Sequence, residues 1–369
     1  MSFGGAAPVA LVKLELAGFR SYQSLAWPVP PGVTLLTGAN GAGKTNLLEA
    51  VHYAALLRSF RTRNLQELRR WDSPGFSLVA TLGGDGLTRQ LRVTQQQERS
   101  LQVDGVPIIR ASDFINHFLA VAFIPEDIGL VKGPASERRR FLDILGSQLD
   151  AGYLRALSEY NQVLRQRNAL LRQYAQFGDR ALEAFDQQLV AFGAAIIQRR
   201  LLLVEELRPE LEESGRQFFG DGSLLARYTP VTGTESGLET LTARLFDLLV
   251  KNRDREKRDG VTLVGPHRDE LLLTLDTRPL AAFGSEGQCR TTALALRLAS
   301  YRLLQRQAGD QRGLILLVDD VLGELDAVRR RTFLDLIRQC PQALITVTTA
   351  DECAPWADQV VTVHDGAVN

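Results

Sequence analysis

Residues 38–45 read GANGAGKT, and this octapeptide restricts the possible folds more than any other part of the chain. It matches G-x-x-x-x-G-K-[ST] between an aliphatic run, residues 33–37, and a helical pattern, residues 47–57. Glycines let such a loop fold so that its N–H groups point at phosphate oxygens, beside a helix start that favours negative charge. The sequence therefore predicts a phosphate-binding loop at the end of a strand in an α/β fold.

The loop supplies the predicted nucleotide-binding residues. We expect Lys44 to reach the β- and γ-phosphates and the Thr45 hydroxyl to bind Mg²⁺. The residues predicted to bind nucleotide in this loop are Gly38, Ala39, Asn40, Gly41, Ala42, Gly43, Lys44 and Thr45.

A second acidic feature follows an aliphatic run, LILLVDD at residues 314–320. A buried parallel strand that ends in acid places carboxylates at the sheet edge where α/β folds bind ligands. Asp319 is the predicted Mg²⁺ ligand, and Asp320 is predicted to orient or deprotonate the attacking water. With Lys44 these are the predicted catalytic residues, for slow nucleotide hydrolysis; a pair of surface acids is the alternative.

The stretch FGSEGQ, residues 283–288, precedes a helical pattern at residues 289–304. Ser285 and Gly287 would open that helix and form a second helix start with N–H donors, which predicts another phosphate contact. A structural N-cap is the alternative interpretation.

Composition limits the class of protein. At 369 residues the chain is long enough for two domains, and no apolar run could cross a membrane or act as a signal peptide, so we expect a cytoplasmic protein. The three cysteines lack metal-ligand spacing and are interpreted as buried thiols.

The formal net charge is zero, so nucleic-acid binding would depend on local clusters of basic residues. Candidate DNA contacts are Arg58, Arg61, Arg63 and residues 138–140, and a solvated surface is the alternative interpretation of each basic run.

The order of patterns along the chain is strands, helices, then strands again. An antiparallel meander is expected over residues 77–106, a buried central strand at 119–124 and further strands at 261–265 and 271–276. Two long helices, broken by glycine near residues 176–179, predict an antiparallel pair that is either domain core or a short coiled-coil arm. We expect an ATPase domain from residues 1–136 and 261–369, with a helical insertion domain at 137–260.

Several blocks together resemble a known family. SEGQ, the strand LILLVDD and GELD at residues 323–326 resemble the signature motif, Walker B strand and D-loop of ABC-type ATPases. More specifically, the chain resembles the RecF family of bacterial recombination mediators in seven blocks that follow one another in order. These are LAGFRSY at 16–22, GANGAGKTNLLEAV at 38–51, RSFRT at 58–62, FIPEDIGLVKGPASERRRFLD at 123–143, TLVGPHRDEL at 262–271, GSEGQCRTTALALRLA at 284–299 and LLVDDVLGELD at 316–326.

The resemblance implies an α/β fold: an ABC-type P-loop ATPase domain like the Rad50 and SMC heads, with an antiparallel β subdomain and a helical insertion. It also implies a homodimer that forms on ATP and Mg²⁺, binds DNA at single-strand/double-strand junctions and gaps, and helps load RecA with RecO and RecR. The signature residues Ser285, Gly287 and Gln288, with the D-loop acid Asp326, would then complete the nucleotide site of the other subunit.

The sequence departs from the wider ABC pattern. Asp320 stands where glutamate is usual, Glu286 replaces a signature glycine, and TVTTADE at residues 346–352 has no switch histidine, which implies slow turnover. Glu126 lies near the expected position of a Q-loop glutamine. The nucleotide-binding subunit of an ABC transporter is the alternative class, although the helical insertion is longer than such subunits carry.

Overall fold

The computed structural model describes residues 9–84, 86–235, 237–308, 312–350 and 353–368. The chain divides into two compact units. The first contains Met1–Asp127 and Leu296–Asn369, and the second contains Ile128–Ala295. The domain boundaries expected after residue 136 and before residue 261 stay a prediction.

The strands lie in both units. In chain order they are β1 (Ala10–Phe19), β2 (Tyr22–Pro28), β3 (Gly32–Thr37), β4 (Phe76–Gly84), β5 (Leu87–Gln95), β6 (Arg99–Val103), β7 (Val106–Ile108), β8 (Phe118–Phe123), β9 (Leu224–Thr229), β10 (Glu270–Leu275), β11 (Arg278–Pro279), β12 (Gly313–Asp319), β13 (Gln342–Thr346), β14 (Gln359–His364) and β15 (Ala367–Val368).

The helices include short 3₁₀ turns at Leu65–Leu68, Pro125–Ile128, Leu322–Glu324 and Ala354–Trp356. The α-helices are α1 (Lys44–Leu56), α2 (Ala111–Ile115), α3 (Gly129–Lys132), α4 (Ala135–Leu149), α5 (Ala151–Arg172), α6 (Tyr174–Phe219), α7 (Leu238–Asp259), α8 (Leu280–Phe283), α9 (Glu286–Ala308) and α10 (Ala327–Ile337).

The first unit contains a mainly parallel six-stranded sheet. Its strand order is β15-β14-β3-β13-β12-β8, and β15 alone runs antiparallel to its neighbour in this sheet as described. Asp319 at the end of β12 pairs with Thr346 at the end of β13, so these strands end at one edge. The predicted strand at 119–124 is buried as expected, but β8 lies at the edge of the sheet and not at its centre.

The first unit also contains an antiparallel sheet of order β2-β1-β4-β5-β6-β7. Leu14 and Leu16 of β1 are buried while Lys13 is exposed, because successive side chains point to opposite faces of a strand. The meander predicted for residues 77–106 is confirmed. Strands β2 and β14 were not predicted, because polar residues interrupt their apolar ones and neither contains a long buried run.

In the second unit α5 and α6 form the predicted antiparallel pair. Tyr153 of α5 bonds to Arg200 of α6, and Arg167 bonds to Asp186, so residue numbers rise on one helix as they fall on the other. Gly178, near the start of α6, has a non-helical backbone with φ 68°, a left-handed value that glycine adopts without steric cost. The predicted glycine break is therefore confirmed as a kink near the start of α6, while α5 already ends at Arg172.

A buried ion cluster joins the helices of the second unit. Arg167 is 0% exposed, and its guanidinium donates to Asp186 (2.7 Å), Glu256 of α7 (2.7 Å) and Thr262 (2.9 Å). Two carboxylates around one guanidinium satisfy its donors, which a buried charge requires.

The predicted strand at residues 261–265 is wrong. The backbone N–H of Thr262 donates to Asn168 (2.8 Å), and that of Leu263 donates to Glu256 (2.7 Å). Helix side chains thus take the donors that a neighbouring strand would need, and the segment is irregular.

The cysteines agree with their interpretation, since Cys289, Cys340 and Cys353 are free and buried. Within the described parts of the chain, no helix has the length and apolar character needed to span a bilayer.

Candidate nucleotide-binding site

The loop between β3 and α1 has the backbone that its glycines allow. Gly38 has φ 137° and Gly43 has φ 111°, values that other residues rarely adopt. A Cβ atom at Gly38 would lie 2.2 Å from the carbonyl oxygen of Val363, so no larger residue fits there. Gly43 is the N-cap of α1 and provides no side-chain cap, which leaves the first N–H groups of the helix to an anion.

Lys44 bends back over the loop. Its ammonium donates to the carbonyl oxygens of Gly38 (2.6 Å) and Ala39 (3.0 Å). Because an ammonium has three donors and stands in the loop, it can reach a phosphate bound to the same N–H groups.

Thr45 and Asp319 meet although they are far apart in the chain. The Thr45 hydroxyl donates to Asp319 Oδ1 (2.8 Å), and the Thr346 hydroxyl donates to the same oxygen (3.0 Å). Burial raises the pKa of Asp319 above its usual value, as does the charge of Asp320, while the two hydroxyl groups lower it. A hydroxyl and a carboxylate at this distance provide the oxygen ligands that Mg²⁺ prefers.

Asp320 lies in different surroundings from Asp319. Asp319 is only 7% exposed, whereas Asp320 is exposed and has φ 51°, a left-handed conformation. The Asp320 N–H donates to the Thr346 hydroxyl (2.9 Å). One acid is thus placed to bind a cation, and the other is open to water.

A cavity of about 340 Å³ lies over these groups. Its lining includes five residues of the predicted loop and one predicted acid: Asn40, Gly41, Gly43, Lys44, Thr45 and Asp320. It also includes four polar residues that were not predicted to bind nucleotide: Asn46, Arg61, Thr346 and Thr348. Ala42 is instead buried in the loop. The volume falls within the range typical of small-molecule sites.

Arg61 was predicted as a DNA contact, and the structure places it on this cavity. Its guanidinium donates to the Asn46 side chain (3.0 Å). The backbone N–H groups of Arg61 and Thr62 both donate to the Ser59 hydroxyl (2.9 and 3.0 Å), which donates in turn to Glu49. The only sequence signals for this arrangement were a basic run and the RSFRT block.

Glu49 on α1 anchors that loop. Its carboxylate is 0% exposed and accepts two hydrogen bonds from Arg20, at 2.8 Å each. Sequence reasoning missed both residues, since an Arg and a Glu 29 positions apart carry no signal of pairing.

The predicted signature residues form a helix cap in the second unit. The Gln288 N–H donates to the Ser285 hydroxyl (3.2 Å), and the Ser285 N–H donates to the Gln288 side chain (2.9 Å). This reciprocal capping box is the structural N-cap that was the alternative interpretation of the sequence. Glu286 pairs with Arg290 (2.7 Å), and the Lys132 ammonium donates to the Gly284 carbonyl (2.6 Å) beside the helix start.

Other predicted residues lie apart from the cavity lining. Asp326 is the N-cap of α10 and accepts from the Arg329 N–H (2.8 Å), and Glu126 is exposed in a 3₁₀ turn.

The prediction that Arg138 contacts DNA is wrong. Arg138 is only 8% exposed, and its guanidinium bonds to Glu270 (2.7 and 2.8 Å) and to the Gly133 carbonyl (2.9 Å). Its donors are taken, so Arg138 is not a DNA contact.

Comparison with known proteins places this geometry in a family. The model of the RecF/RecN/SMC N-terminal domain matches residues 10–367. The DNA replication and repair protein RecF of Herpetosiphon aurantiacus is 37% identical, over 95% of this chain and 97% of its own. RecF of Acidothermus cellulolyticus is 37% identical, over 97% of this chain and 99% of its own.

Solved structures agree. The recombination mediator protein RecF-ATP of the RecFOR pathway superposes with a TM-score of 0.91 at 28% identity, covering 100% of this chain and 99% of its own. An Smc head domain from Pyrococcus furiosus has a TM-score of 0.57 at 17% identity, covers 98% of this chain and 95% of its own, and shares the fold. The expected ABC-type α/β ATPase fold is thus confirmed, and the transporter alternative is not favoured. The chain belongs to the RecF family of DNA replication and repair proteins.

Proposed function

We propose that the chain is a DNA-binding recombination mediator that binds ATP with Mg²⁺, associates with a second copy in that state, and separates after slow hydrolysis. One observation carries the proposal. The hydroxyl of Thr45 and the carboxylate of Asp319, 274 positions apart, meet at 2.8 Å beside a cavity lined by Lys44 and Asp320.

The residues present fit a nucleoside triphosphate. The uncapped start of α1 and the Lys44 ammonium offer donors for the β- and γ-phosphates. Thr45 and Asp319 would hold Mg²⁺, which neutralises phosphate charge when bound. ATP is the triphosphate named for the solved relative.

Hydrolysis is assigned to Asp320. Its carboxylate is exposed on the cavity and would orient the attacking water, as an acid without a metal ligand role can. Aspartate is shorter than glutamate, and Thr346 and Thr348 line the cavity in the segment where a switch histidine was expected. Slow turnover suits a switch between two states.

The second copy would complete the site through Ser285. Its oxygen accepts from Gln288, and its own O–H remains able to donate to a phosphate. Gly287 adds no side chain, and the start of α9 favours an anion. ATP would favour the dimer because its terminal phosphate is contacted by both chains only when they are closed. Asp326, in the D-loop, is also proposed to contact the other copy.

The partners are proposed from the family. Gapped DNA is the expected substrate, and RecO and RecR are the expected partners in loading RecA. The mediator role and the RecFOR pathway are those named for the solved relative.

Analytical ultracentrifugation tests the proposal. The chain should sediment as a monomer with ADP and as a dimer with ATP and Mg²⁺, whereas Lys44→Arg should remain monomeric in both. Asp320→Asn should retain ATP and accumulate the dimer, with hydrolysis at least about a hundredfold slower, the lower end of general-base effects. Ser285→Arg should bind ATP as a monomer and fail to dimerise.

Lys13→Arg, in an exposed pair with Glu15, is the matched control for Lys44→Arg. Dimerisation of the Lys44→Arg variant with ATP would overturn the P-loop assignment. Loss of monomer ATP binding in Ser285→Arg would mean that Ser285 acts within its own chain.

A further inference from the structure

Trp71 is 100% exposed, an unusual position for the largest aromatic side chain. It follows two arginines, and Arg69 is exposed as well. Within the described chain the Trp71 indole makes no ring contact or hydrogen bond, and the Arg69 guanidinium makes no ion pair. An indole and a cation thus stand side by side and open to solvent.

The backbone that carries Trp71 is anchored. The Arg70 N–H donates to the Gly18 carbonyl (2.8 Å), and the Arg20 N–H donates to the Leu68 carbonyl (2.8 Å). The Arg70 side chain bonds to the Ser21 carbonyl (2.8 Å) and to Asp72 (2.7 Å). An aromatic ring on a fixed backbone loses little conformational freedom when a ligand stacks on it.

Trp71 lines a groove of about 1050 Å³. Asn46 and Arg61 line both this groove and the phosphate-loop cavity, so the two spaces adjoin. Arginines outnumber acids in the lining, with Arg20, Arg61, Arg69 and Arg70 against Glu67 and Asp72, and the count still favours arginine when Arg20, which pairs with Glu49, is left out. A cationic groove with one free aromatic ring suits a nucleoside phosphate, because every base offers a face for stacking.

We propose that this groove binds the nucleoside end of the nucleotide whose phosphates lie at residues 38–45, with Trp71 stacked on the base and Arg69 beside it. The inference rests on the nucleotide site of the proposed function. The shared Asn46 and Arg61 favour this ligand over a DNA strand, since they connect the ring to the phosphate end of the same site.

Isothermal titration calorimetry can distinguish the contribution of the base to ATP affinity from that of the phosphates. Trp71→Ala should bind ATP about tenfold more weakly, within the range for loss of one stacking contact. It should bind inorganic triphosphate as the natural chain does, because that ligand has no base. Trp71→Phe should keep most of the ATP affinity, and its full exposure makes either change harmless to folding. Val12→Ala, another exposed apolar residue, is the control.

Tryptophan fluorescence shows whether the base that stacks on Trp71 belongs to ATP or to DNA. ATP should quench the tryptophan emission of the natural chain, and the quenching should vanish in Trp71→Phe. Quenching by an oligothymidine without nucleotide, but not by ATP, would assign the groove to DNA and overturn the proposal.

Failure of this inference can be told from failure of the proposed function. If Trp71→Ala binds ATP normally while Lys44→Ala does not, the stacking role is wrong and the phosphate site stands. If Lys44→Ala also binds ATP normally, the nucleotide site itself is misplaced.

Discussion

At the scale of single residues, Glu49 shows how one buried carboxylate shapes the site without touching the cavity. It accepts from Arg20 and Ser59, and Ser59 in turn holds the backbone of Arg61, which lines the cavity. Arg61 is therefore positioned by two side chains, Glu49 and Ser59, that do not line the cavity.

Glu49→Gln should destabilise the first unit by about 3 kcal/mol, because it leaves the part-buried guanidinium of Arg20 without its charge partner. Glu15→Gln removes an exposed carboxylate paired with Lys13 (3.0 Å) and should change stability by less than about 0.5 kcal/mol. Urea unfolding followed by tryptophan emission measures this, since Trp27, Trp71 and Trp356 all lie in the first unit. Equal stability of the two variants would contradict the anchoring role.

These residues also mark the limit of prediction from sequence. Lys44, Thr45 and Asp319 were predictable because glycine spacing and a strand ending in acid have local signatures. Arg20 and Glu49 were not, because a buried ion pair uses the same residue types as a solvated surface. Only the fold reveals which of the charges are buried.

At the scale of elements, periodicity predicted the long helices and failed at residues 261–265. The β-branched and aliphatic residues of VTLVG resemble a strand, but Thr262 and Leu263 give their backbone donors to helix side chains. His267 follows this segment. Its Nε2 donates to the Thr262 carbonyl (3.1 Å), which leaves the Nδ1 of the neutral ring to accept from the Tyr160 hydroxyl (2.6 Å).

This predicts a pH dependence of the second unit. Burial lowers the pKa of His267 from 6.5 to about 4. The hydrogen bond to the Thr262 backbone raises this pKa, and the charges of Arg268, Arg139 and Arg167 lower it further. The unfolded chain binds the proton more readily, so the contribution to stability is complete above pH 6.5 and is lost as the pH falls towards 4.

Hydrogen exchange of helices α5 and α6 at pH 7.5 and pH 5 would measure the loss. His267→Gln should be less stable at pH 7.5 and should lose less stability between the two values. An equal loss in both chains would assign the pH dependence to carboxylates instead.

At the scale of the whole molecule, the formal net charge of zero means that DNA attraction depends on how charges are arranged. If two copies closing on ATP bring their basic groups together, binding should be strong only in that state. Affinity for gapped DNA with ATP should fall at least about a hundredfold between 50 and 200 mM salt, as several phosphate contacts require.

Fluorescence anisotropy with labelled gapped DNA would measure this. ADP, or ATP with the Lys44→Arg variant, should give weak binding with a shallow salt dependence. Equal affinity in ATP and ADP would show that the DNA surface lies on one copy and needs no closure.

The left-handed backbone at Asp320 has a consequence for how this protein can change. Aspartate tolerates such a conformation better than a longer side chain does, because its short carboxylate can bond to nearby backbone. A glutamate introduced there would extend the acid but strain the turn that joins β12 to the next segment. If Asp320 acts in hydrolysis as proposed, faster turnover through a glutamate would require a second change in the main chain, and the conformation of this turn would then limit how short the lifetime of the ATP state can become.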